Sequence, residues 1–127
     1  MDTIANLLVS LRNAQAVRKP SVKVLYSKMN QAILQILDKK GFVAGLEKAG
    51  RKDDKYFEVK LKYAQDNAGA IREASRISRP GKRVYAGYQE LKWPTGSLLI
   101  VSTPEGVMTG DEAKKKKLGG ELICLIF

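Results

Sequence analysis

The sequence predicts an α+β fold made of two small lobes. Its length of 127 residues suits one domain or two small lobes, and 44% hydrophobic residues are enough for a packed core. Residues 1–66 carry helical and strand patterns in the order helix, strand, helix, strand, strand, whereas residues 67–127 carry mainly strand patterns with one short helix. We therefore expect an N-terminal α/β lobe over 1–66 and a C-terminal β-rich lobe over 67–127.

The first lobe begins with two helices that flank a strand. Apolar residues recur at helical spacing over 4–11, and Pro20 ends this segment. The alternating residues 21–26 predict a short strand. Ser27 is placed to cap a second helix, and Gly41 is placed to supply its left-handed exit.

Two further strands complete the first lobe. They are predicted over about 42–48 and 56–63, joined by the polar hairpin loop "GRKDD". In the second of them Phe57 and Val59 alternate with charged residues, so one face is expected to be buried. The polar stretch "AQDNAG", residues 64–69, is the predicted linker to the second lobe.

The second lobe opens with a strand and a strong turn signal. The weakly apolar strand over 71–78 is expected at an edge or surface. In the turn "SRPGKR", Pro80 fixes φ and Gly81 is expected to accept the positive φ of a type II turn. The strand resumes at Val84 and Tyr85, and "GYQELKWPTG" follows as an irregular connection.

The end of the chain predicts a buried hairpin, a short helix and a central strand. Residues 97–102 form a buried strand, and residues 103–106 suit a type I turn, with proline second and glycine fourth. Thr109 and a glutamate three residues later form a capping box, so a helix begins there and is expected to end at Gly119. Residues 121–127 are apolar on both faces, which is typical of a central strand.

The charge of the chain indicates a polyanionic partner. The net charge is +10 and the isoelectric point is about 9.8, which favours nucleic acid or an anionic membrane surface. A generally basic soluble protein is the alternative. Histidine is absent and the one cysteine, Cys124, lies in an apolar run. These facts remove His-based nucleophile pairs, an intrachain disulfide and a cysteine zinc cluster, so we expect no enzyme, metal or cofactor.

The sequence carries no signal for a membrane or for secretion. No stretch approaches the roughly 18 apolar residues that span a bilayer. An acid stands at position 2 and a basic n-region is absent, so the N-terminus does not resemble a signal or transit peptide. We expect a cytoplasmic protein, and an organelle-encoded protein stays open as an alternative.

Two clusters of cations lie near glycine-bearing turns in the second lobe. They favour phosphate contact, and the candidate residues are Arg79, Lys82, Arg83, Lys114, Lys115, Lys116 and Lys117. The alternative for the lysine block is a solvated run matched to the helix dipole, worth about 0.3–1 kcal/mol.

Short polar residues at the end of the buried strand form a second candidate group. The hydroxyls of Ser102 and Thr103 suit base edges, sugars and the shallow minor groove of structured RNA, although they could instead satisfy turn backbone groups. Tyr85 is either a core residue or a stacking platform for an unstacked base. The glycines at 119–120 either stop the helix or allow close backbone approach to a ligand. Glu121 is either part of this group or an intramolecular partner for a cation.

Four stretches occur in a specific order along the chain. They are "DTIANLLVSLRNAQ", "ISRPGKRVY", "IVSTPEGVMT" and "AKKKKLGGELICLIF". Each alone would be a weak signal, but together they cover essentially the whole chain and are jointly specific. The chain resembles the family of the eighth protein of the small ribosomal subunit, in its bacterial form.

This resemblance implies a function without catalysis. It implies a structural constituent of the small ribosomal subunit, built from two α+β lobes beside neighbouring ribosomal proteins. It further implies a primary RNA-binding protein that binds an irregular helical stem in the central domain of small-subunit rRNA and helps assemble the subunit. The alternative is an RNA-binding translational repressor acting on a messenger RNA, its own in some family members. The implied location is the cytoplasmic ribosome, with an organellar ribosome left open.

The resemblance also implies contact residues. In the second lobe the RNA-contacting positions of the family fall on Ser102, Thr103, Pro104, Tyr85, Gly120 and Glu121. In the first lobe they fall on Arg12, Asn13, Ser27 and Lys28. Pro104 replaces the last residue of a Ser-Thr-Ser turn and has neither a hydroxyl nor an N–H. Any polar contact of that serine is therefore lost, replaced by van der Waals contact, or shifted to Glu105 or the two hydroxyls.

Overall fold

The computed structural model describes residues 3–65 and 68–127 of the chain. These residues divide into two units, Thr3–Arg72 and Glu73–Phe127, and each unit contains helix and antiparallel sheet. The predicted α+β fold class is thereby confirmed. The predicted domain boundary, between residues 66 and 67, lies outside the described residues and stays a prediction.

The first unit is a three-stranded sheet with two helices. Its elements are α1 (Thr3–Ala16), β1 (Ser21–Leu25), α2 (Lys28–Lys39), β2 (Val43–Ala49) and β3 (Tyr56–Leu61). The strand order is β1-β3-β2, and both pairings are antiparallel. This is the predicted order of elements. β3 ends two residues before the predicted limit, because Tyr63 leaves the ladder and bridges to Gly69.

Local sequence sets the ends of the second helix, and burial holds the first. Ser27 caps α2, since its hydroxyl accepts a hydrogen bond from the N–H of Asn30 at 3.0 Å. Gly41 follows with a φ of 81°, the predicted left-handed exit. Leu7 and Leu11 of α1 are each 1% exposed. Burying each such side chain contributes about 1.5–3 kcal/mol.

The second unit is a five-stranded antiparallel sheet with one short helix. Its elements are β4 (Ala74–Arg76), β5 (Tyr85–Ala86), a 3₁₀ turn (Tyr88–Glu90), β6 (Leu98–Thr103), β7 (Gly106–Thr109), α3 (Gly110–Lys115) and β8 (Gly120–Ile126). β8 pairs with β4 and β5 along one edge and with β6 along the other, and β7 completes a hairpin with β6. The terminal strand is therefore central, as its sequence predicted.

One face of this second sheet carries an apolar cluster. Leu99, Val101 and Met108 of the sheet cluster with Leu91 and with Ala113, which lies on α3. The helix start predicted at Thr109 is confirmed: its hydroxyl caps α3 by accepting from the N–H of Glu112 at 3.2 Å. The reciprocal bond of a capping box, from the Thr109 N–H to the Glu112 carboxylate, does not form between these two residues. The helix is therefore held against this face of the sheet, whereas Ile100 and its cross-strand partner Cys124, both fully buried, lie on the other face.

The first strand of this unit is shorter than predicted. β4 covers 74–76 rather than 71–78. The N–H groups of Ile77 and Ser78 still donate to the carbonyls of Ile123 and Leu122 on β8. At this point β8 contains one residue more than β6, because Ile123 has no opposed residue in the β6–β8 pairing. This irregularity ends the regular ladder.

The prediction of a type II turn at Gly81 is wrong. Gly81 is absent from the described glycines with positive φ, which are Gly41, Gly50, Gly96 and Gly106. Arg79 and Lys82 exchange two backbone hydrogen bonds of 3.0 Å and 2.9 Å, so a narrow two-residue loop forms that does not need a left-handed glycine.

The predicted stop of α3 at Gly119 is also wrong. The helix ends at Lys115, and Lys117 itself takes the left-handed conformation with a φ of 56°. The N–H groups of Lys117 and Leu118 bond back to the carbonyls of Lys114 and Ala113, which satisfies the end of the helix. The glycines that follow serve the sheet instead.

Candidate nucleic-acid interface

A row of directly opposed residues crosses the second sheet at one end. Tyr85 of β5 stands opposite Glu121 of β8, Glu121 stands opposite Ser102 of β6, and Ser102 stands opposite Val107 of β7. Opposed residues on neighbouring strands share a face and have Cβ atoms about 4.5–5.5 Å apart. We call these four residues the Tyr85 row. The structure thus brings together Tyr85, Glu121 and Ser102, which are distant in the sequence.

Tyr85 lies on the surface and not in the core. Its side chain is 67% exposed at the edge of β8. An exposed aromatic ring fixed to a sheet presents a flat apolar surface that can stack on a base. Of the two interpretations that the sequence left open, the stacking platform is the one that this position permits.

Glu121 has two intramolecular partners. The hydroxyl of Ser78 donates to its Oε2 at 2.5 Å, and Arg83 donates to the same oxygen at 3.0 Å. The Ser78 hydrogen bond is the main reason that the pKa of Glu121 lies below its usual value. Burial opposes this shift, and the guanidinium of Arg83 adds to it. Glu121 is therefore ionised and internally paired.

Ser78 is a site residue that the sequence interpretation missed. It is fully buried, and its hydroxyl also accepts from the N–H of Val84 at 3.0 Å. The side chain therefore ties both ends of the basic turn 79–83 to β8. A serine at the end of an edge strand, beside a Pro-Gly turn, was the only local signal for this role.

The two candidate hydroxyls point in different directions. Thr103 is 8% exposed; its Oγ1 donates to the carbonyl of Gly106 at 2.8 Å and accepts from the N–H of Glu105 at 3.2 Å. Ser102 is half-buried in the Tyr85 row, and its hydroxyl makes no hydrogen bond to another described residue. Successive strand residues face opposite sides of a sheet. Thr103 therefore ties the turn, and Ser102 faces the side of Tyr85.

The β6–β7 turn presents its centre to solvent. Pro104 and Glu105 are exposed between Thr103 and Gly106, which pair across the hairpin. Gly106 has a φ of 120°, a conformation that residues with a Cβ rarely adopt. At the position where the resemblance implies the last serine of a Ser-Thr-Ser turn, the chain therefore offers only the apolar proline ring.

The two glycines before Glu121 allow the strands to approach closely. A Cβ at Gly119 would lie 2.5 Å from the carbonyl oxygen of Ala86. A Cβ at Gly120 would collide with the carbonyl of Ser102 and lie 3.1 Å from the Cα of Thr103. Both glycines therefore fix the spacing of β5, β8 and β6 from which the Tyr85 row is built.

The predicted cations form two groups in the second unit. Arg79, Lys82 and Arg83 are exposed on the turn that Ser78 ties to β8. The lysine block spans the end of α3, which packs on the face opposite Ser102, and the chain then returns to Gly120 at the start of β8. The row and the lysine block therefore share one end of the sheet but not one face.

The lysines of this block are exposed and fan around the helix end. Lys114 lies over the ring of Trp93, with its Nζ 5.4 Å from the ring centroid. Lys115, Lys116 and Lys117 extend into solvent. The block is thus a diffuse cationic surface and not a directed pocket.

The first-lobe candidates occupy two separate places in their unit. Arg12 and Asn13 are exposed on a cleft of about 430 Å³ that Gly69 and Arg72 also line. The side chain of Gln15 holds this cleft together through two hydrogen bonds to the backbone of Ile71, at 2.7 Å and 3.2 Å.

The corner before α2 holds the other first-lobe pair. The Ser27 hydroxyl is engaged in capping α2, as described above, and Lys28 is exposed as the first residue of that helix. At this corner the side chain that is open to a partner is Lys28.

The structure bears on three other features: a membrane-spanning helix, a metal site and a reactive cysteine. Within residues 3–65 and 68–127, no helix is long and apolar enough to span a bilayer, and no three His, Cys, Asp or Glu side chains cluster as a metal site would require. Cys124 is fully buried, and burial raises the pKa of its thiol to about 12. This agrees with the interpretation of Cys124 as a small core residue.

Comparisons with known proteins agree with the resemblance seen in the sequence. The model of the family described as ribosomal protein S8 matches residues 2–127. Similar curated proteins carry the name small ribosomal subunit protein uS8. That of Rippkaea orientalis is 40% identical over 129 residues, and those of Dictyoglomus thermophilum and Caldanaerobacter subterraneus subsp. tengcongensis are each 41% identical over 128 residues. Each of these alignments covers 99% of this chain and 97% of the relative. The chain therefore belongs to the ribosomal protein S8 family.

Proposed function

We propose that this chain is a structural protein of the small ribosomal subunit that binds small-subunit rRNA through the Tyr85 row. The observation that carries the proposal is the register of the second sheet. This register places the unbonded hydroxyl of Ser102 and the exposed ring of Tyr85 on one face, on either side of Glu121.

Tyr85 and Ser102 supply the contacts that depend on RNA structure. A base displaced from its stack packs on the Tyr85 ring, an interaction worth about 1–3 kcal/mol per base. Ser102 can donate to and accept from a 2′-hydroxyl or a base edge in the shallow minor groove. A regular duplex offers few unstacked bases, so this pair favours an irregular stem.

Glu121 serves this surface by holding Arg83. A bare carboxylate would repel phosphate, but here both Ser78 and Arg83 donate to it. Arg83 remains 46% exposed in its side chain, so N–H donors that do not contact Glu121 are open to a phosphate. The acid therefore orients a cation at the edge of the row.

The remaining cations supply affinity that does not depend on sequence. Arg79 and Lys82 lie on the turn anchored by Ser78, and Lys115 and Lys116 lie at the end of α3. Each phosphate that they neutralise releases counterions, so this part of the affinity falls steeply with salt.

The β6–β7 turn contributes shape and not a pair of hydroxyls. Thr103 is engaged in closing the turn, so Pro104 and Glu105 form its tip. Pro104 packs against the RNA by van der Waals contact, and Ser102 makes the hydrogen bonds to RNA at this end of β6. The polar contact of the serine that Pro104 replaces is therefore exchanged for van der Waals contact.

The first unit contacts neighbouring RNA through Arg12, Asn13 and Lys28. These residues are exposed, and Arg12 and Asn13 stand on a concave surface. Membership of the family supports the wider role: binding an irregular stem in the central domain, assisting assembly of the subunit beside other ribosomal proteins, and working in the cytoplasmic ribosome without catalysis.

Chemical footprinting of small-subunit rRNA, with and without the protein, tests the proposal. We expect protection confined to one irregular stem and its surroundings. Uniform weak protection along the RNA would contradict the proposal, because it would indicate charge alone.

A pair of variants links the footprint to the row. Tyr85→Ala combined with Ser102→Ala should remove the protection, while Thr95→Ala, which deletes an exposed hydroxyl outside the row, should leave it intact. Full protection by the double variant would place the interface elsewhere.

A further inference from the structure

Two lysines converge on one tyrosine in the first unit. The Nζ atoms of Lys48 and Lys55 lie 4.5 Å and 5.7 Å from the centroid of the Tyr26 ring. We call these three residues the Tyr26 clamp. Lys48 lies on β2 and Lys55 directly precedes β3, so the clamp joins the β2–β3 hairpin to the residue that follows β1.

The tyrosine at the centre of the clamp is held from several directions. Its ring packs on Phe57 with centroids 5.6 Å apart, and its hydroxyl donates to Gln31 at 3.4 Å. Its backbone N–H donates to the carbonyl of Lys55 at 3.2 Å. A fixed ring limits the freedom of the amines above it, which lowers the entropy cost of using them in binding.

The charges of the clamp are not balanced within the described chain. Neither ammonium group pairs with a carboxylate among residues 3–65 and 68–127, whereas Lys60 of the same sheet pairs with Glu47 at 3.3 Å. Two nitrogens at 4.5 Å and 5.7 Å from one point are at most about 10 Å apart, a distance over which roughly 0.1 M salt screens repulsion only in part. An anion bound between them would relieve this repulsion.

The surroundings of the clamp favour RNA over an acidic protein surface. Tyr26 directly precedes the Ser27–Lys28 corner, so the clamp continues a surface on which RNA contact is already proposed. The hairpin loop beside it carries Arg51 and Lys52 against the acids of 53–54, so the loop adds no net negative charge. A nucleic acid strand offers closely spaced phosphates that two nearby amines can contact together.

We propose that the Tyr26 clamp is a phosphate-binding site for an RNA strand that passes the Ser27–Lys28 corner. The inference rests on the proposed binding of small-subunit rRNA and adds a further contact on the first unit, beyond those of Arg12, Asn13 and Lys28. It assigns Lys48 and Lys55 to binding, and it assigns Tyr26 to positioning their ammonium groups.

The test compares two double variants in equilibrium binding to a transcript of small-subunit rRNA across a range of salt concentrations. Lys48→Gln with Lys55→Gln should weaken binding and make the slope of log K against log salt shallower by about 1.4–1.8, the value for two lost phosphate contacts. Lys60→Gln with Lys62→Gln removes the same charge from exposed positions on the same unit and should change the slope by less than one contact. Lys48→Arg with Lys55→Arg keeps the charges and should retain most of the affinity.

Each outcome decides the proposal. Equal slopes for the clamp variant and the control variant would overturn it, because general charge would then explain the effect. Loss of binding to a ribosomal protein neighbour with an unchanged RNA slope would also overturn it. Thermal unfolding of both variants checks that the fold is retained. If the clamp variant binds RNA normally while the Tyr85 and Ser102 variant does not, only the clamp fails and the proposed function stands.

Discussion

The hydroxyl of Ser78 donates a 2.5 Å hydrogen bond to the carboxylate of Glu121, across 43 positions of sequence. The same hydroxyl accepts from the N–H of Val84, so one buried side chain joins the end of the edge strand, the basic turn and the central strand. Glu121 in turn holds Arg83 and stands in the middle of the Tyr85 row. The candidate surface therefore depends on a buried residue that cannot itself touch RNA.

Ser78→Ala should destabilise the protein and weaken RNA binding together. The substitution leaves the Val84 N–H without its acceptor and Glu121 without its closest donor, and an unsatisfied buried polar group costs about 1–3 kcal/mol. Urea unfolding measures the first effect and binding to small-subunit rRNA the second. Ser97→Ala removes a hydroxyl that, among the described residues, bonds only to the carbonyl of Pro94, so it should change stability by less than about 0.5 kcal/mol. Equal stability of the two variants would show that the Ser78 contacts are dispensable.

Glu121 should make the protein less stable in acid. Its pKa is lower in the folded protein than its usual value of 4.5, so its contribution to stability is complete above that value and disappears as the pH falls through the folded-state pKa. Unfolding free energies measured between neutral pH and about pH 3 should therefore fall more steeply for the natural chain than for Glu121→Gln. Parallel pH profiles would mean that another carboxylate controls the acid transition.

Removing the hydroxyl of Thr103 should affect stability, whereas removing the hydroxyl of Ser102 should affect RNA binding. Thr103→Ala removes the donor to Gly106 and the acceptor of the Glu105 N–H, so it should cost about 0.5–1.5 kcal/mol per lost bond in unfolding free energy. Ser102→Ala breaks no hydrogen bond within the described residues, so it should leave stability nearly unchanged. It should nevertheless weaken the cognate stem far more than an unrelated RNA duplex. Denaturant unfolding and competition binding measure the two effects, and equal loss of both RNAs would argue against recognition by Ser102.

Short-range sequence patterns predicted most of the fold. The left-handed exit at Gly41 and the N-cap at Thr109 each depend on a few neighbouring residues, and both form as predicted. The helix end at Lys117 did not follow the same rule, since an L-residue there took the left-handed conformation and the glycines after it were needed for strand contact. Local preference was overridden where two backbones had to meet.

The candidate site was less predictable, because it depends on register. A shift of one residue in a strand pair moves every side chain to the other face. The sequence indicates neither the extra residue Ile123 in β8 nor the pairing of Ser102 with Glu121. It did indicate that Ser102 and Thr103 are consecutive in a strand, and alternation alone implies that they face opposite sides. The expectation of a joint hydroxyl contact overlooked that implication.

Gly120→Ala should disturb the row without removing any functional side chain. The added methyl group would collide with the carbonyl of Ser102 on the neighbouring strand, so β6 and β8 must move apart. Forced adjustments of this kind cost about 1–3 kcal/mol.

Gly81→Ala is the matched control, since nothing lies within 4 Å of its added carbon and its φ is not positive. That change should be neutral or stabilise by up to about 1 kcal/mol. Unfolding free energies and affinity for small-subunit rRNA should both fall for Gly120→Ala alone. If Gly120→Ala lowers stability but binds RNA as tightly as the natural chain, the spacing of β6 and β8 does not matter for recognition and the Tyr85 row is not the RNA-binding surface.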